Sequence, residues 1–157
     1  MHTANLTREE TAARSAAITL RSVRVDLDLS RAREQEHTGF GTVTTLEFDA
    51  SAERTWLDFL GEEVRTVTVN GSPQPVDYDG ARIALTGLES SNTVVVEAVG
   101  AYSRSGEGLH RFLDPVDGET YLYTQYEPAD SRRVMAVFEQ PDMKASFTFT
   151  VRAPHGW

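Results

Sequence analysis

Val23-Arg24-Val25-Asp26-Leu27-Asp28-Leu29 places an apolar residue at every second position and a charged one between. Side chains of an extended strand point alternately to its two faces. This run therefore gives one face to a core and the other to water. The same period of two recurs outward along the chain. Leu46 and Phe48 alternate with Glu47 and Asp49, and Val67 and Val69 with Thr66 and Thr68. Ile83 and Leu85 come next, then Val94, Val96 and Ala98, and near the end Phe147, Phe149 and Val151 alternate with Thr148 and Thr150. Asn70-Gly71 comes directly after Val69. That pair is a strong hairpin signal, because both turn positions need positive φ. Ser72-Pro73, Asp79-Gly80, Thr86-Gly87 and Ser90-Ser91-Asn92 separate other runs. Many short alternating strands divided by turn residues predict an all-β fold, a mostly antiparallel β-sandwich.

Two regions depart from the period. Thr7 precedes Glu10 by three residues, the spacing of a capping box, and Ala12, Ala13, Ala16 and Ala17 favour a helix. A short helix is predicted over 7–16, within an N-terminal helical segment 1–16. Residues 100–120 hold Gly100, Gly106, Gly108, Pro115 and Gly118 and are expected to form a long loop. Residues 128–144 are a second irregular stretch, with a turn of helix expected around Arg132–Val137.

The 157 residues suit one domain, 1–157, and a chain of this size buries enough surface to hold a core without staples. There is no cysteine, so neither a disulfide framework nor a thiolate metal site is possible. The formal net charge of −9 is the opposite of what a duplex nucleic acid or an anionic membrane attracts. No run of eighteen apolar residues occurs, and the N-terminus lacks a basic segment followed by an apolar one. No membrane association is expected, and a cytoplasmic location is.

The histidines are His2, His37, His110 and His155, and none belongs to a His-Glu-x-x-His unit. A catalytic zinc needs two or three converging ligands, and these residues offer no such set. No Gly-x-Ser-x-Gly elbow or phosphate loop occurs. Ser103, Ser105 and His110 are neighbours in sequence only. Asp114, Asp117 and Glu119 do not match the spacing of a calcium loop, and a solvated acidic turn is expected there. The most informative segment is Tyr121-Leu122-Tyr123-Thr124-Gln125-Tyr126-Glu127-Pro128. On a regular strand Tyr121, Tyr123 and Gln125 share one face, and Leu122, Thr124 and Tyr126 the other. Glu127 then stands at the strand's end, before a proline that stops pairing. From pattern alone it reads as a solvated surface charge.

Thr124-Gln125-Tyr126-Glu127 resembles the Thr-Gln-x-Glu motif of the aminopeptidase N family of zinc metallopeptidases. Gly106-Glu107-Gly108-Leu109-His110-Arg111-Phe112 is similar to the family's segment before that motif. Ala129-Asp130-Ser131-Arg132-Arg133 and the run from Phe138 to Phe147 are similar to the family's segments after it. Leu6-Thr7-Arg8-Glu9-Glu10 and Val25–Leu29 resemble the start of actinobacterial-type members. Glu139 stands where the family usually has aspartate, and Ala136 where cysteine is common.

The resemblance implies the family's N-terminal, saddle-like β-sandwich domain, ending before the catalytic domain. It implies that Glu127 anchors the free α-amino group of a peptide substrate and that Gln125 lines the first substrate pocket. The leukotriene-hydrolase branch carries glutamine where Glu127 stands, so the glutamate favours ordinary aminopeptidase work. Zinc and the catalytic residues would belong to the following domain, with no metal and no catalytic residue in this fragment. The expected partners are that catalytic domain of the same polypeptide and a peptide with a free N-terminus. An exposed apolar and aromatic patch is expected near Tyr121–Tyr126 and Leu109–Phe112, facing the catalytic domain. The alternative is a free-standing β-sandwich binding or scaffold module without peptidase activity.

Overall fold

The structure is a computed structural model that describes residues 5–157. His2 and the start of the 1–16 segment lie outside the described residues. The first helix, α1, spans Arg8–Ala17. The Thr7 hydroxyl accepts from the Glu10 amide at 3.2 Å, and the Glu10 carboxylate accepts from the Thr7 amide at 2.8 Å. This is the capping box that the sequence predicts. The helix stops where Ile18 turns extended and enters β1, Ile18–Asp28.

Nine further strands follow among the described residues: β2 (Gly39–Ala50), β3 (Arg54–Asp58), β4 (Glu63–Val69), β5 (Ser72–Gln74), β6 (Arg82–Thr86), β7 (Ser91–Ala101), β8 (Gly108–Leu113), β9 (Thr120–Gln125) and β10 (Ser146–Arg152). Six form one sheet in the order β10-β1-β2-β7-β4-β5, while β3 pairs with β6 and β8 with β9. Every pairing between two of these strands is antiparallel except that of β10 with β1. The expected all-β, mostly antiparallel architecture with one short helix is the one observed. Alternate residues of the large sheet, among them Val25, Leu46, Phe48, Val67 and Val94, face Leu57, Phe59, Ile83 and Leu85 of the second layer and its flank. Asn70 and Gly71 make the hairpin with φ of 52° and 78°. Among the described residues no helix is long and apolar enough to cross a membrane.

The stretch 100–120 is not one long loop. It begins on the end of β7 and contains all of β8, leaving short connections on either side. The strand escapes a hydropathy reading because one of its inward residues is Arg111. Its guanidinium is buried by donating to the carbonyls of Glu34, Gln35 and His37 at 3.1, 3.2 and 2.7 Å. It also lies over the Tyr102 ring at 4.3 Å. Asp114 and Asp117 accept from the amides of Val116 and Glu119 at 2.8 Å, so the acidic stretch makes turns. In the second irregular stretch the helical turn is a 3-10 turn at Ser131–Arg133, and Val134–Phe138 go into the core instead.

Helix α1 docks through charge, since its buried residue is Arg14. Arg14 pairs with Asp58 at 2.7 Å, with side-chain exposures of 0% and 1%. Asp58 also accepts from the Trp56 indole at 3.2 Å and the Glu139 amide at 3.0 Å. Gln140 accepts from Arg14 Nε and donates to the Thr11 carbonyl at 3.1 Å. Burial holds the Arg14 guanidinium below its ordinary pKa, with Asp58 opposing that shift. Removing one partner of such a pair leaves an uncompensated buried charge. Arg14→Ala or Asp58→Ala is expected to cost about 3–5 kcal/mol, read as a lower urea midpoint at unchanged slope. A loss under about 1 kcal/mol would put the pair in the class of surface bridges.

A second pair ties the cap to the second layer. Glu10 accepts from Arg82 through both oxygens, at 2.6 and 3.1 Å. The Arg82 hydrogen bonds, followed by that of the Thr7 amide, pull the Glu10 carboxyl down to about 2 from its ordinary 4.5. The folded chain therefore binds fewer protons than the unfolded one across that interval. Stability from this group is complete above the unfolded value and is lost as pH falls toward the folded one. Acid unfolding of Glu10→Gln should show a shallower pH dependence than wild type between about pH 4.5 and 2. Identical profiles would mean that the pair does not couple to folding.

Candidate functional site

The ribbon of β8 and β9 carries the Thr124–Glu127 segment. Register pairs Phe112 with Tyr121, His110 with Tyr123, and Gly108 with Gln125. These residues share the outward face. Leu109 and Arg111 turn inward and are buried, and Leu122 is half-buried against the core. The expected patch is therefore narrower than the sequence suggests. Phe112, Tyr121 and Tyr123 are about half exposed, at 47%, 50% and 52%, while Leu109 belongs to the core. Tyr123 lies 4.8 Å from the His110 ring, and the Tyr121 hydroxyl donates to Asp117 at 2.7 Å.

Gln125 is the last residue of β9 and is exposed. Glu127 stands two residues later in a turn, exposed, with a cis peptide bond to Pro128. Among the described residues Glu127 has no hydrogen-bond or ion-pair partner. The groove beside it, about 400 Å³, is bordered also by Pro128, Glu139, Met143, Lys144 and Phe147.

The turn that carries Glu127 is fixed from behind. The Asp130 amide donates to the Tyr126 carbonyl at 2.8 Å. Arg133 Nε donates to Asp130 at 2.6 Å, and its Nη2 lies 3.5 Å from Glu107. Glu139 accepts from the Ser131 hydroxyl and the Arg132 amide, both at 2.6 Å. Burial, opposed by those two hydrogen bonds, leaves its pKa above the ordinary carboxylate value. Gly108 has φ of +64°, and a Cβ there would sit 2.7 Å from Arg133 Cβ. Glycine is thus required for β8 to start against this turn. Sequence reading missed Gly108 and Arg133 as supports of Glu127. The only available signal was that both lie in segments flanking the motif.

The remaining candidates do not assemble. Ser103 and Ser105 hydroxyls are 3.2 Å apart, but His110 Nδ1 accepts from the Gly106 amide at 3.1 Å and not from a serine. No group of three or more His, Asp or Glu among the described residues could hold a metal ion. The donor set of a zinc site does not fit onto the described residues.

Residues 26–156 match the family described as the Peptidase M1 N-terminal domain. The chain is 48% identical to Aminopeptidase N of Streptomyces lividans, over 98% of this chain and 18% of that protein. It is 25% identical to a probable aminopeptidase 1 of Sulfurisphaera tokodaii, over 71% of this chain and 14% of that one. The chain thus spans less than a fifth of the length of these relatives. The fold resembles that of an M1 zinc metallopeptidase from Deinococcus radiodurans, with TM-score 0.66 and 21% identity over 88% of this chain and 33% of that one. It also resembles native yeast LTA4 hydrolase, with TM-score 0.71 and 16% identity over 89% of this chain and 23% of that one. At such identities the two structures speak for the fold alone. The family match covers most of the chain, the fold agrees with it, and the chain belongs to the Peptidase M1 N-terminal domain family.

Proposed function

We propose that this domain anchors the N-terminus of a peptide for a zinc-dependent aminopeptidase, with Glu127 binding the free α-ammonium and Gln125 lining the first substrate pocket. The observation that carries the reading is the contrast between Glu127 and its neighbours. Asp130 is held by Arg133, and Glu139 by Ser131 and the Arg132 amide. Glu127 alone of these three carboxylates is exposed and without a partner. A carboxylate kept free on a rigid turn is ready for an incoming cation.

The chemistry suits an exopeptidase. Such an enzyme measures from the chain terminus, and a terminal ammonium differs from an internal amide by a full charge. In a closed site an amide would leave the carboxylate unpaired, which is costly. The catalytic domain of the same polypeptide, which would supply zinc, is the proposed partner. The Phe112, Tyr121 and Tyr123 face is the surface proposed to meet it. On this reading the chain alone hydrolyses nothing and works as part of a cytoplasmic enzyme.

The test is Glu127→Gln in an aminopeptidase that carries this domain. kcat/KM on peptides with a free amine should fall roughly 10²–10³-fold, while N-acetylated peptides lose far less. In the chain alone the same change should shift stability by no more than about 0.5 kcal/mol, since the side chain touches no partner. Equal losses on free and blocked peptides would leave Glu127 a surface residue with no part in amine recognition.

A further inference from the structure

The turn that carries Glu127 is tied on both sides of that residue. Before it, the Tyr126 carbonyl accepts from the Asp130 amide at 2.8 Å. After it, the Ala129 carbonyl accepts from Arg132 Nε at 2.9 Å. Both ties come from residues 130–132, so the place of those residues decides where Glu127 stands. They are held in turn by the Leu60 amide, which donates to the Arg132 carbonyl at 2.7 Å, and by Glu139. One oxygen of Glu139 accepts from the Ser131 hydroxyl and from the Arg132 amide, both at 2.6 Å.

The first amides of a helical turn have no partner within it. Asp130, at the N-cap of the Ser131–Arg133 turn, makes no side-chain capping bond. Glu139, eight residues on from Ser131, supplies the acceptor instead. Its own main chain is pinned. The Glu139 amide donates to the buried Asp58 carboxylate at 3.0 Å, and Phe138 and Gln140 on either side are 5% and 6% exposed. With the main chain fixed, side-chain length sets where the accepting oxygen stands. Charge matters less at this place. Burial raises the Glu139 pKa against the two hydrogen bonds, and the Asp58 carboxylate adds to the rise.

We propose that Glu139 is a positioning residue for recognition of the peptide amine, holding the Glu127 turn at a distance set by the length of its own side chain. The inference rests on the reading that Glu127 binds the α-ammonium. Length and charge can be varied separately. Glu139→Gln keeps the length and an accepting oxygen but removes the charge. Glu139→Asp keeps the charge and withdraws the oxygen by up to one carbon–carbon bond, about 1.5 Å. A shift of about 1 Å in a recognition group can cost on the order of 10²-fold in rate.

The test uses the 48% identical Streptomyces lividans aminopeptidase N with this chain in place of the matching stretch. On a peptide with a free amine, Glu139→Asp should lower kcat/KM roughly 10–100-fold, and Glu139→Gln no more than about threefold. In a Glu127→Gln background, Glu139→Asp should cost under about twofold, because the group that it positions is gone. A residue that merely supports folding would cost the same in both backgrounds. In the 157-residue chain alone the Arg132 amide should exchange at least about tenfold faster in Glu139→Asp than in wild type, and within about threefold of wild type in Glu139→Gln. Equal cost of Glu139→Asp in the two backgrounds would overturn the proposal. So would full activity of Glu139→Asp beside a loss in Glu139→Gln, which would make charge the requirement. Unchanged exchange at Arg132 in Glu139→Asp would overturn it as well, whether or not the hybrid enzyme folds. Glu127→Gln alone reports on the amine reading. If that change leaves free-amine peptides unaffected, the amine reading fails and this proposal with it, whereas a loss there beside an unaffected Glu139→Asp sinks this proposal alone.

Discussion

The buried pair of Arg14 and Asp58 is the joint on which the rest of the arrangement turns. Asp58 lies on β3 of the second layer, and Arg14 comes from a helix with no apolar residue in its buried set. Neither charge can be left alone at 0% and 1% exposure. The pair therefore fixes where the helix sits. Asp58 then passes the constraint on, because it also accepts from the Glu139 amide. The Glu139 side chain holds Ser131 and Arg132 in the turn just after Glu127. A continuous chain of hydrogen bonds thus runs from the N-terminal helix to the back of the candidate site. Glu127 itself is outside that chain and has no hydrogen-bond or ion-pair partner among the described residues.

Elements that bury an apolar residue at every second position were legible from the sequence. β1, β7 and the hairpin at Asn70–Gly71 announce themselves in this way. The first half of β2 does not, because its inward residues include Thr42 and Thr44, both 1% exposed, while Val43 points outward. β8 is hidden by Arg111 for the same reason. Hydropathy records the side chain: Arg111 is buried because its guanidinium finds backbone carbonyls, whereas the hydroxyls of Thr42 and Thr44 are buried without a hydrogen-bond partner among the described residues. The helix was readable from Thr7 and Glu10, but its docking was not, since nothing local marks Arg14 as the arginine that meets an aspartate 44 residues away.

The candidate site divides along a similar line. Glu127 and Gln125 stand out through their resemblance to a family motif, and pattern alone gives Glu127 no more than a surface position. Their supports are less visible. Gly108 matters through a close approach to Arg133, and Arg133 through Asp130 and Glu107. Such contacts join residues whose proximity appears only once β8 and β9 pair and the turn folds back. A glycine at the start of a strand has many uses in sequence, and only the positive φ and the 2.7 Å approach single out this one.

Burial in this domain runs against the usual order at the N-terminal helix and again at β10. A charged pair is fully buried beneath the helix, while two phenylalanines and a valine on the core side of β10 remain half in water. The first is stable because both charges are satisfied. The second has no such compensation: about 25 cal/mol is forgone for each Å² of apolar surface left wet. Sheets tolerate an uncovered face when its side chains are polar, as Thr148 and Thr150 are on the other side of the same strand. A strand that is polar toward solvent and aromatic toward an unfinished core has the alternation of a covered strand without its cover. The groove shared by Phe147 and Glu127 places that unfinished edge beside the one carboxylate of the turn that the domain leaves unpaired.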